Sequence, residues 1–297
     1  MPGGSVRPCR VRLCWWVMAA WSISPQARAQ GTDSTRLVHQ RTWLVAGGSV
    51  ALLSGSLVSL NEAWYKGYPR SAFHFFDDDD EWLQMDKAGH AFSTYAIGRA
   101  GHAAFWWAGC TEKASVWIGG GLGFLYLGGI EYLDGRSSEW GFSVGDMAAN
   151  TFGAALFIGQ QLGWKEQRVV MKYSSHLTDF AAQRPDLLGR TLPERLLKDY
   201  NGTSIWLSAN LRAFGAKGLP PWLNLAAGYG AERMISARNS PGQYRQFFLG
   251  PDISLARIRT KSKLLHTVLF VLDCVKVPLP ALEYGSDGVF RGHVLYF

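Results

Sequence analysis

Cysteine is scarce in this chain and charge is thin. Four cysteines occur among 297 residues, none in a CxxC or Cys/His spacing, which excludes a thiolate zinc site and a disulfide framework. Charged residues make up 18% against 47% hydrophobic, a poor match to a cytosolic enzyme. No HExxH helix is present, and Ser143 is not read as a hydrolase nucleophile. The run Asp77-Asp78-Asp79-Asp80-Glu81 lacks the alternation and glycine of a calcium loop and reads as solvated loop.

What the chain has in quantity is glycine, 34 residues, and tryptophan, 13 residues. Small residues let helices approach closely in lipid, and Trp favours the membrane–water interface. Mean hydropathy is −0.03, so the chain is not membrane throughout. Arg7, Arg10 and Arg12, the apolar stretch 13–23 and Ala27-Arg28-Ala29 read as an export signal over 1–29. Neither Cys9 nor Cys14 sits in a lipobox. The signal leaves Cys110 and Cys274, read as two ordinary apolar thiols. The net charge of +7 gathers after Lys165 without a recognition motif, and nucleic acid is excluded as a partner.

Four apolar segments follow: 43–60, 88–108, 115–133 and 142–163. Gly119 with Gly123, and Ala149 with Gly153, have the small-xxx-small spacing of close helix contacts. From about Lys165 the pattern changes to polar loop, then strand-like alternation over 203–211, 222–230, 247–258 and 289–297, with one more helix over 263–276. The expected fold is mainly α. It comprises a membrane-associated bundle of about four helices (30–164) and a C-terminal mixed α+β region with short strands (165–297). The alternating segments are too few to close a barrel.

The chemistry concentrates in Asp86-Lys87-x-x-His90, Glu131, Asp134-Gly135-Arg136, Asp146 and Asn150. Asp86 and His90 share a helix face at i,i+4, and Asp146 and Asn150 do the same. Ionisable groups in an apolar bundle must pair, line a wet cavity or do chemistry. His90, Glu131 and Asp146 are the candidate catalytic residues; Asp86, Lys87, Arg136 and Asn150 are the candidate substrate-binding residues. In the competing reading, pairs such as Asp146 with Lys87 and Glu131 with Arg136 merely fix helix register. A metal at His90, Glu131 and Asp146 is the weaker option, and no cofactor is expected.

The segments DKAGH (86–90), DGR (134–136) and GFSVGDMAANTFG (141–153) resemble the YfiM-like family of predicted periplasmic proteins. More distantly they are similar to VanZ-like membrane proteins, which share the Asp-Lys-x-x-His start and the Asp-x-x-x-Asn-x-x-Gly end. YNGTSIWLSANL (200–211) and the segment 221–232 look like longer members. The resemblance implies an envelope protein without an established activity. Many YfiM-like members are lipoproteins, and the missing lipobox departs from that. Three expectations follow: a membrane protein binding a lipid or glycan head group, a hydrolase or transferase acting on an envelope lipid phosphate, or an outer-membrane assembly component. The sequence does not choose between inner and outer membrane.

Overall fold

Glycines decide how the long helices meet. A computed structural model of the chain describes residues 33–297; the export signal, with Cys9 and Cys14, lies outside the described residues. Four long helices come first: α1 (Asp33–Leu60), α2 (Met85–Trp107), α3 (Glu112–Asp134) and α4 (Val144–Trp164). A Cβ at Gly123 would stand 2.4 Å from the Thr94 carbonyl oxygen, and one at Gly153 would stand 2.2 Å from that of Ala91. Both glycines therefore let α3 and α4 press against the α2 backbone, the small-residue contact expected from their spacing. Helices α2, α3 and α4 form the packed unit, while α1 lies beside it with its apolar window unburied. The bundle of about four is thus three packed helices and one flanking helix. Thr35–Leu60 and Glu112–Asp134 are long and apolar enough to cross a membrane.

The remaining chain is less helical than a mainly α fold would have it. After α4 come β1 (Val169–Ser175), three short helices α5 (Phe180–Gln183), α6 (Pro185–Leu188) and α7 (Leu192–Lys198), then β2 (Thr203–Asn210), β3 (Leu223–Glu232), β4 (Tyr244–Ile253), α8 (Lys263–Leu272), β5 (Leu279–Gly285) and β6 (Phe290–Tyr296). The strands form one six-stranded antiparallel sheet in chain order. The molecule is α+β. Strands β1 and β5 escaped the sequence reading because neither shows a plain apolar–polar alternation.

The sheet is rolled. Lys172 on β1 reaches Asp252 on β4 at 2.8 Å, and Ser204 on β2 meets the Tyr296 hydroxyl on β6 at 3.0 Å. Non-neighbouring strands touch in this way only across a curled interior. Tyr173 also bridges to Val275, just before β5.

Alternation along the strands is inverted relative to an ordinary soluble sheet. The inner side buries Lys172, Ser204, Ser208, Asn210, Asn224, Gln246, Asp252 and Glu283 around Trp206, Phe248 and Tyr296. On the outer side a row runs Leu207–Ala227–Leu249–Leu282, and beside it Tyr229–Phe247–Tyr284–Phe290. Among these, Leu249 is 49% and Phe290 79% exposed.

A shared core of Ala91, Tyr95, Val116, Phe157, Val170, Met171 and Ile205 joins the helical unit to the sheet. Cys110 and Cys274 are not joined to each other.

Candidate functional site

Three helix ends converge on one pocket. His90 stands one turn into α2, Glu131 and Asp134 close α3, and Asp146 and Asn150 open α4. Between α3 and α4 the chain returns alongside residues 70–78, with Phe76 N–H donating to Phe142 O at 3.1 Å and Phe142 N–H to His74 O at 2.9 Å. That pairing carries Asp78 to the helix ends. Ser143 caps α4, its Oγ accepting from Asp146 N–H at 3.0 Å and donating to Asp78 Oδ1 at 2.6 Å.

Residues 141–145 spell Gly-Phe-Ser-Val-Gly, the letters of a nucleophile elbow. Ser143 is buried, occupied as a cap, and bonded to no histidine among the described residues. It is therefore a positioning residue rather than a nucleophile.

Asn150, fully buried, organises the interior of the site. Its Oδ1 accepts from Thr94 Oγ1 at 3.0 Å and from His90 Nδ1 at 3.2 Å. The opposite ring nitrogen, Nε2, lies 3.5 Å from Glu131 Oε1, while Glu131 Oε2 accepts from Ser143 N–H at 3.0 Å. Lys87 Nζ lies 2.7 Å from Asp78, 3.4 Å from Asp146 and 3.5 Å from both Asp79 and Asp86. Burial works to raise the Asp78 pKa, but its hydrogen bonds from Lys87 and Ser143 hold the carboxyl below the usual carboxylate range.

The pocket encloses about 200 Å³. Its polar wall is Asp78, Glu81, Asp86, His90, Asp134 and Asp146; its aromatic wall is Tyr65, Phe76, Trp82, Trp140 and Tyr200. Tyr65 donates to Asp134 Oδ1 at 2.6 Å, and Trp140 meets Tyr65 edge-on.

The sheet fixes one side of this wall. Trp82, Leu83 and Gln84 are successive non-glycine residues in the left-handed region, with φ of 48°, 49° and 63°. Each such residue costs about 1–3 kcal/mol and persists only when its surroundings over-determine it. Here Trp82 N–H donates to Ala237 O at 2.7 Å, Tyr229 on β3 donates to Leu83 O, and Arg245 on β4 donates to Gln84 Oε1 at 2.8 Å. The strained turn points Trp82 into the pocket wall and starts α2 in register.

The structure therefore gathers Asp86, Lys87, His90, Glu131, Asp146 and Asn150. It does not gather Arg136, which is exposed and makes no ion pair among the described residues. The anticipated Asp146–Lys87 pair forms; the anticipated Glu131–Arg136 pair does not, because Arg136 lies beyond the turn after α3 and faces outward. The acidic run 77–81 is not solvated loop throughout. Asp78 is an integral part of the site, and Arg238 pairs with Glu81 at 3.3 Å and donates to Asp77 O at 2.6 Å. A long-range docking of this kind leaves no local sequence signal, and the same holds for Tyr200. His102 lies at the far end of α2, stacked on Trp106 and 3.3 Å from Glu112.

Residues 74–159 match the family model described as "Predicted periplasmic lipoprotein (DUF2279)". The match covers α2, α3 and most of α4 with the segment that carries Asp78, and stops short of the sheet. It supports an uncharacterised family of the periplasm or envelope. No curated protein and no solved structure matches the chain.

Proposed function

We propose that this is an exported, membrane-embedded envelope protein whose pocket at the ends of α2, α3 and α4 binds the polar head group of an envelope lipid or glycan. The observation that carries the reading is the pocket itself, whose lining combines carboxylates and an imidazole with aromatic rings. Carboxylates accept hydrogen bonds from hydroxyl and amine groups, and aromatic faces pack against sugar rings or alkyl stems. A hydroxyl- or amine-bearing head group suits such a wall.

The competing reading, an enzyme holding lipid phosphate through Lys87 and Arg136, finds less support. Lys87 is already paired with carboxylates, and Arg136 stands away.

Three observations support the membrane. Helices Thr35–Leu60 and Glu112–Asp134 have spanning length and mean hydropathies of 1.7 and 1.2. The rolled sheet turns apolar and aromatic rows outward and polar groups inward, the arrangement of a wall that faces lipid. The Asp-Lys-x-x-His and Asp-x-x-x-Asn spacings resemble VanZ-like membrane proteins. An outer-membrane assembly role would instead put function on the sheet, where the pocket against Met171, Ile205, Leu207 and Ala227 is lined mainly by apolar residues.

The test is native mass spectrometry of the full chain extracted in mild detergent. A lipid or glycan retained by the wild type and reduced several-fold in Trp140→Ala is expected. Equal retention in both, or no retained ligand at all, would sink the pocket reading. Recovery as a soluble monomer without detergent would sink the membrane reading.

A further inference from the structure

The acidic wall resolves into two triads that share Asp146. Asp78, Asp86 and Asp146 offer oxygens within 4.8 Å of one another. Lys87 Nζ sits among them at 2.7, 3.5 and 3.4 Å, so this triad has its cation. His90, Glu131 and Asp146 offer a nitrogen and two oxygens within the same limit. No lysine or arginine pairs with Glu131 among the described residues; its one ion-pair partner is His90.

The hydrogen bonds around His90 say what the second triad lacks. Asn150 Oδ1 can only accept, and it already takes the Thr94 hydroxyl proton. The His90 proton therefore sits on Nδ1, directed at that oxygen, and Nε2 presents a bare lone pair. That lone pair faces Glu131 Oε1 at 3.5 Å. With Glu131 ionised, two acceptors have been brought together in a buried site: Glu131 is 1% exposed and Asp146 5%. Glu131 Oε1 and Asp146 Oδ1 are both buried without a hydrogen-bond partner. Ligand atoms about 2.0–2.1 Å from a tetrahedral ion stand roughly 3.4 Å apart, close to this separation.

We infer that His90 Nε2, Glu131 and Asp146 hold a divalent first-row transition-metal ion, with Asn150 orienting the imidazole from behind. One imidazole and two carboxylates suit zinc or manganese, and a hydrogen bond on the far ring nitrogen is the usual way a ligating histidine is fixed. The ion joins the polar wall of the pocket, where sugar or glycerol hydroxyls can complete its coordination. The inference rests on the reading of this pocket as a ligand site, and names what else that site holds.

The experiment uses the full chain in detergent, stripped by chelator and titrated with cobalt(II), whose visible absorption reports a protein nitrogen–oxygen ligand set. A saturable site with one ion per chain is expected, displaced by zinc. Glu131→Gln, close to isosteric, and His90→Ala should each weaken it at least about 100-fold. Asn150→Ala should weaken it about 10–100-fold with unchanged stoichiometry, as loss of an orienting partner does. Asp186→Asn, at an exposed position of α6, should leave it untouched. Thermal melts of each variant establish that it is folded.

Absence of a saturable cobalt site in the folded wild type overturns the inference, as does binding that survives both Glu131→Gln and His90→Ala. If cobalt fails to bind while a head group is still retained through Trp140, the ion falls and the pocket reading stands. If cobalt binds and nothing is retained, the ion stands and the head-group reading falls.

Discussion

Two of the buried polar clusters among the described residues are balanced differently. Inside the rolled sheet, Lys172 meets Asp252 at 2.8 Å and Asp273 at 3.4 Å, and Arg99 from α2 meets Asp273 at 2.8 Å. In these ion pairs two acids face two bases, and Ser208 donates to Asp252 at 2.6 Å. At the helix ends, Asp78, Asp86, Glu131 and Asp146 share Lys87 and a histidine whose Nδ1 proton is already committed. Each cluster leaves carboxylate oxygens without a hydrogen bond, Asp252 and Asp273 in the one, Glu131, Asp146 and Asp86 in the other. Orphan oxygens alone do not separate the two. Charge does. A matched cluster is complete as folded, whereas a surplus of buried carboxylate has to be neutralised, by a proton, a cation or a ligand.

The comparison can be broken most sharply in the sheet. Lys172→Met leaves Asp252 without its ion-pair partner and Asp273 with Arg99 alone, both acids being fully buried, and should cost about 3–5 kcal/mol of stability by chemical denaturation in detergent. A loss below about 1 kcal/mol would mean that the sheet cluster is not held by its charge match. Next in size is the outer face. Leu249→Arg should cost about 2–4 kcal/mol if lipid covers it; an effect near zero, as on a surface in water, would remove the membrane from that face.

Helix approach comes third. Gly153→Ala forces a methyl against the Ala91 carbonyl, and overpacking of this kind costs about 1–3 kcal/mol. It should lower the melting temperature and, by parting α4 from α2, weaken the cobalt site too. A variant as stable as wild type would show that the helices part without penalty.

The smallest stability effect belongs to the helix-end cluster. Glu131→Gln removes one carboxylate of a surplus and keeps an acceptor for Ser143 N–H, so stability should change by about 1 kcal/mol or less. Ion or ligand retention should drop sharply in the same protein. A large destabilisation without a binding defect would turn the site into a second structural cluster, and the contrast with the sheet would vanish.

Much of the site was legible because helix periodicity is local. Asp86 with His90 and Asp146 with Asn150 are one turn apart, and Gly123 and Gly153 mark where helices press together. These choices need no knowledge of distant chain. Asp78 was illegible, since an acidic run reads the same whether solvated or docked by Arg238 from the β3–β4 connection. Arg136 misled for the opposite reason: proximity to Glu131 in sequence says nothing of which way a turn faces. The short alternating strands were seen in part, but their curl depends on which residues meet across the sheet.

By itself the sequence determined the helical unit, its close contacts and most of the polar residues at its ends, because side-chain periodicity and small-residue spacing act within a few turns. Only the tertiary structure decided the rest: the inversion of the sheet, the strained turn at Trp82 clamped by β3 and β4, and the charge balance of each cluster. Charge balance depends on distances between segments far apart in the chain, and nothing in a local pattern records them.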